Sequence, residues 1–395
     1  MPRIKSAIFL ISLFLIFVFI GSFLNNLVNY AAGDFPNKEP LSYTKEAYDK
    51  CNNTVDPQRC YADFFTNLTR KKDIVYTASA VKKLISFNPN ANISCHLIAH
   101  KVSRAEIEKD PKNWKEIIKK ISINDCTGGY LHGALEAHIA EDPDFRISDK
   151  TINSVCDNLD LDTDANGAGC EHAMGHLLLV QNERDLSSTT KECNKLDENP
   201  AQDCLMGAFM EHVIGENLLA HGLISELPKW DEKRAQELEK LCMRQIGQAA
   251  NACWRQIAHI YASISHDDPQ ELYDHCSLAP EKDLKESCYL HGIGVISNQL
   301  LPNPEKFYKI CSILDITDTF FAKCLHSSIT SVLNNSIEKS NSLLSLCKNT
   351  RSQYQRTCYE DIVKTLKRFK ADSEAIRKTC INMPKNLYPS DCDNY

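Results

Sequence analysis

An all-α, disulfide-stapled array of helix pairs, an α-solenoid behind an N-terminal transmembrane helix, is the fold that this sequence predicts. Three observations carry it. Cysteines recur at a fixed period, most are followed by a helical pattern of apolar residues, and an uncharged apolar run stands near the start of the chain. The 395 residues are 43% hydrophobic and 25% charged, a globular balance that can bury a large core. The net charge of -7 and the lack of any basic block exclude nucleic acid as the expected partner.

Residues 1–30 read as a cytoplasmic tip and a membrane anchor. After Arg3 and Lys5, residues 7–24 ("AIFLISLFLIFVFIGSFL") are uncharged and just long enough to cross a bilayer as a helix. Positive charge before the run, with Asp34 and Glu39 after it, places the N-terminus inside and the rest of the chain outside the cytoplasm. A cleaved signal peptide is the alternative, since Ala31 and Ala32 are small. The length of the run and the unsuitable Asn29 and Tyr30 favour an uncleaved anchor. Residues 31–45, with Pro36 and Pro40, read as a tether.

Residues 46–395 form the expected extracytoplasmic repeat domain. Eighteen cysteines are too many for a reducing compartment unless they bind metal, and no tight zinc-ribbon pairs occur. They fall into local pairs: Cys51 with Cys60, Cys156 with Cys170, Cys193 with Cys204, Cys242 with Cys253, Cys276 with Cys288, Cys311 with Cys324, Cys347 with Cys358 and Cys380 with Cys392. The second members at 253, 288, 324, 358 and 392 lie 34 to 36 residues apart. One unit shows the plan. "CWRQIAHIYASIS" from Cys253 is a first helix, "HDDP" breaks it with Asp268 as a cap before Pro269, and "QELYDHC" is a short second helix ending at Cys276. "SLAPEKDLKESC" then reads as a polar connector. Units of this kind bury their apolar stripes only by stacking.

Cys95 and Cys126 remain without local partners. "GGYLHGALEAH" matches "SCYLHGIGVIS" when Gly129 stands where Cys288 stands, and the spacing from Cys95 then becomes 34. Both cysteines so come to the starts of adjacent first helices, which predicts that they bond to each other.

The period and the helix-pair plan resemble the tetratricopeptide and Sel1-like repeat superfamily. "HGIGVISNQLLPNPEKFYKIC" from His291 is similar to the Sel1 pattern of glycines, a Val and a Lys-containing second helix, whereas the Trp-Leu-Gly-Tyr signature of tetratricopeptide units is absent. The resemblance implies peptide or protein binding on a concave face.

The histidines share a frame. Counted from each marker, His132 and His291 are three positions on, His172 and His326 two, His176 and His259 six, and His100 five. They therefore cluster on one side of the first helices and predict a His-lined surface. They are densest within residues 95–221. There His96, His100, His132, Glu136, His172 and His176 supply nitrogen and oxygen donors suited to a divalent metal such as zinc. Competition by protons is expected to weaken that site as pH falls through about 6. Asp162, Asp164 and Asn166 match the first half of a calcium loop, with Glu171 as the substitute for the missing twelfth-position Glu.

Two functions follow as expectations: a membrane-anchored extracytoplasmic binding protein with a metal site, or a metal-dependent, hydrolase-like enzyme on the same face. Glu171 precedes His172, so the H-E-x-x-H arrangement of zincins is absent, and Glu136 is the candidate base for a metal-bound water.

Overall fold

The computed structural model describes residues 40–392 apart from 55, 89–90, 92–94, 121–124, 141–144, 157–168, 216–217, 219–223, 267, 302, 312–317, 336, 369–370 and 372. Among the described residues the fold is all-α. No helix there is long and apolar enough to cross a membrane, and the expected anchor at residues 7–24 lies outside them.

The chain opens with α1 (Pro40–Cys51), α2 (Pro57–Lys71), α3 (Ile74–Phe87), α4 (Cys95–Ile107), α5 (Trp114–Ile118), α6 (Gly129–Ala140) and α7 (Asp149–Cys156). It continues through α8 (Cys170–Gln181), α9 (Leu186–Cys193), α10 (Glu198–Ile214), α11 (Glu232–Cys242), α12 (Gly247–Ile264) and α13 (Pro269–Cys276). The last helices are α14 (Lys282–Leu300), α15 (Pro304–Lys309), α16 (Asp318–Asn335), α17 (Ser340–Asn349), α18 (Ser352–Arg368) and α19 (Ser373–Ile381). Even-numbered helices are the first members of pairs and pack one against the next from α2 to α18, with the odd-numbered helices alongside. This is a helical repeat-like array.

Carboxylate and amide caps set where many of the second helices begin. Asp73, Asp185, Asp231, Asp268 and Asn303 each accept a backbone N–H from the first turn of the helix that follows, satisfying donors that have no intrahelical partner. The large residue after five of the markers is a core anchor: Tyr61, Tyr130, Trp254, Tyr289 and Tyr359 are all buried. Each anchor fills the space between its own helix and neighbouring elements, so the repeat in sequence becomes a repeat in packing.

All nine disulfides form as the spacing predicts, including Cys95–Cys126. Closing a loop of about a dozen residues stabilises the fold by roughly 3 kcal/mol through the entropy removed from the unfolded chain. One boundary differs from expectation. In the later units the cysteine lies inside the first helix, since α12 starts six residues before Cys253 and α14 six before Cys288. The expected connector "KDLKES" is helical because Leu284 turns inward and is buried, Lys282, Lys285 and Glu286 favour helix, and Asp283 stands in the first turn, where negative charge is favourable.

Two helix crossings are close enough to require glycine. A Cβ on Gly133 of α6 would overlap the carbonyl oxygen of His100 on α4, and one on Gly207 of α10 would overlap that of His172 on α8. Later in the chain, α16 touches the short helical turn Asp125–Gly128, so the array curls back on an earlier unit.

Candidate metal centre

The crossings bring the inward faces of α4, α6, α8 and α10 into register. One turn beyond the contact of Gly207 with His172 lie Glu211 and His176, four residues on in each helix. There the Nδ1–H of His176 donates to Glu211 Oε2 at 2.9 Å, and the backbone N–H of Leu218 donates to Glu211 Oε1 at 2.9 Å. Glu211 is buried and its carboxylate is satisfied by these two donors. With Nδ1 carrying the proton, Nε2 of His176 keeps its lone pair.

That lone pair faces His172, whose Nε2 is 3.1 Å away. His132 of α6 completes the group, and one ligand nitrogen from each of His132, His172 and His176 lies within 4.8 Å of the others. Their exposures are 3%, 7% and 4%, so water cannot serve them freely. Neither ring nitrogen of His132, nor Nδ1 of His172, has a hydrogen-bond partner. Buried polar atoms without partners are costly, and three of them at one point fit a metal ion. Two imidazole nitrogens held at about 2.0–2.1 Å on a tetrahedral zinc stand roughly 3.3 Å apart, close to the spacing found between His172 and His176.

Burial, helped by the neighbouring imidazoles, holds the pKa values of His132 and His172 well below the ordinary 6.5. Burial together with His96 lowers that of His176 to about 3. The three rings are therefore neutral and ready to donate, and the proton competition expected near pH 6 moves to lower pH. Burial also lowers His212 and His259 to about 4 each.

The sign for stability follows from linkage. Above about pH 6.5 these histidines are neutral in both folded and unfolded chains and contribute nothing. As pH falls from there toward 3 to 4, the unfolded chain takes up protons that the native state refuses, and stability drops. The metal-free chain is expected to melt at a clearly lower temperature at pH 5 than at pH 7.5. Equal melting temperatures would show that these rings are not held neutral.

The remaining expected ligands fall into a neighbouring group. His100 Nε2 is 3.1 Å from Glu136 Oε2, and Arg104 Nη1 donates to Glu136 Oε1 at 2.9 Å. Glu136 is thus engaged by two cations or potential cations rather than directed at the three histidines. His96 stands between the groups, its ring 5.0 Å from that of His132, with Nδ1–H donating to the Cys126 carbonyl at 3.2 Å. The expected His-lined surface is an interior face at the three histidines. Of the calcium residues, Asp162, Asp164 and Asn166 lie outside the described residues. Glu171 begins α8 near Asp203, whose carboxyl is pushed up by burial and then by Glu171.

Glu211 was not singled out from the sequence, although a signal existed. It stands seven positions after the marker Cys204, as Glu136 stands seven after Gly129. No known protein family, curated protein or solved structure matches this chain.

Proposed function

We propose that this chain is a membrane-anchored, extracytoplasmic helical-repeat binding protein that holds a divalent metal ion, zinc, at His132, His172 and His176. The single observation that supports the metal most strongly is the convergence of three buried imidazoles, one of them oriented by a buried carboxylate. A carboxylate behind a ligating histidine fixes its tautomer and raises its basicity. The placement outside the cytoplasm rests on the uncharged run at residues 7–24 and on nine disulfides. A protein or peptide is the proposed partner, since stacked helix pairs offer extended surfaces for binding.

A hydrolase-like enzyme is the second reading, because three protein ligands leave a fourth position that a water can take. The engagement of Glu136 by Arg104 and His100 weighs against it, since that carboxylate was the candidate base.

Metal analysis of the purified chain after dialysis against zinc tests the proposal, with one equivalent expected. Glu211→Gln keeps the shape but removes the charge behind His176. It is expected to weaken zinc binding by about 10- to 100-fold in a chelator competition. Unchanged affinity would remove Glu211 from the site.

A further inference from the structure

A second meeting of histidines lies farther along the array and differs in kind from the first. His259 on α12 and His291 on α14 bring their Nε2 atoms to 3.0 Å, with ring centroids 4.9 Å apart and planes at 75°. Among the described residues no third histidine, cysteine, aspartate or glutamate joins them in a ligand group. After burial and His259 itself, Arg255, one turn before His259, and His172 of the first site are close enough to oppose protonation of His291, so the two histidine groups are neighbours. Trp230 stands beside the pair, its ring 6.3 Å from that of His259 and 38% exposed.

We propose that His259 and His291, flanked by Trp230, form a second metal site that takes a soft monovalent cation, Cu(I). Two neutral nitrogen donors with no carboxylate and a neighbouring guanidinium are a poor setting for a divalent ion, which needs more ligands and negative charge. Zinc finds both in the first site, where Glu211 stands behind His176. Imidazole is a good ligand for copper, and a singly charged ion with two opposed ligands needs no more than this pair provides. Nitrogens at about 2 Å on opposite sides of an ion stand about 4 Å apart, so the rings have to open by about 1 Å. The indole of Trp230, its ring 6.3 Å from that of His259, is close enough to report an ion bound there through its fluorescence. Burial supports the donor role, holding His259 at about 4 and His291 well below its ordinary value, so both rings are neutral at neutral pH. One Nε2–H donates to the other Nε2, and that ring shifts its proton to Nδ1 as the ion enters.

The test is an anaerobic titration of the zinc-loaded chain with Cu(I) buffered by bicinchoninate, following tryptophan fluorescence. One equivalent of Cu(I) is expected to bind with quenching while the zinc content stays constant. His259→Gln with His291→Gln is expected to abolish that equivalent. Trp230→Phe is expected to keep it, with the quenching reduced. Should the chain hold no zinc, the same titration of H132A/H172A/H176A reads the pair alone, so failure of the first site does not hide the second. His259→Gln alone, checked by circular dichroism, serves if the double variant does not fold. The proposal is overturned if the folded chain takes no Cu(I), or if the substituted chains still take the full equivalent. The two rings then share only a hydrogen bond.

Discussion

Replacing His172 and His176 together by alanine is expected to abolish the proposed zinc binding, whereas His326→Ala is expected to leave it unchanged. The pair supplies two of three ligands, and a lone imidazole at His132 holds zinc too weakly to survive dialysis. The double substitution also takes from Glu211 Oε2 its His176 donor. His326 is the fitting control. It lies on the same stripe of the sequence, yet it is 48% exposed and engaged with Asp361 at 2.8 Å several units away. Metal content by mass spectrometry and near-ultraviolet circular dichroism separate loss of the ion from loss of the fold. Full metal retention in the double variant would make these histidines scaffold.

Gly207→Ala is expected to destabilise the chain as strongly as a badly overpacked core and to weaken the proposed metal binding as well. Its added methyl would meet a backbone carbonyl, that of His172, and not a side chain that can turn aside. Overpacking costs about 1–3 kcal/mol where neighbours can move, and here the helices themselves must part. Parting them lengthens the bond from His176 to Glu211 one turn away. Gly294→Ala is the matched control in α14, where the nearest atoms are at 3.5 Å, an ordinary contact. There alanine is expected to be neutral or to stabilise by up to about 1 kcal/mol through helix propensity. Thermal melting of the two variants checks this, and equal melting temperatures would contradict the crossing geometry.

Much of this organisation was legible because it is local. A cysteine pairs with one about a dozen residues away, and Asp268 before Pro269 marks a helix start that α13 shows. Gly129 in place of a cysteine was legible through the repeat alone, and it led to the Cys95–Cys126 bond. The helix starts ahead of Cys253 and Cys288 were not, since a polar run such as "KDLKES" becomes helix once Leu284 finds a core. The division of the histidines was also hidden. Their frame positions put His100 and Glu136 beside His132, but side-chain direction and the Arg104 contact assign them to a separate group. Glu211 sits in an apolar run, and its partner lies 35 residues away. Local pattern does not link such residues.

The contact of α16 with Asp125–Gly128 gives the array a different thermodynamics from an open stack. In an open stack each unit senses only its two neighbours, so melting can creep inward from either end, one unit at a time. Here a step that frees α16 also strips a cover from the turn ahead of α6, the helix that carries His132. Sequence neighbours and a distant unit then stabilise the same segment, and the stretch between them gains or loses structure as one cooperative block. An ion taken up at the start of that block would be felt at its far end.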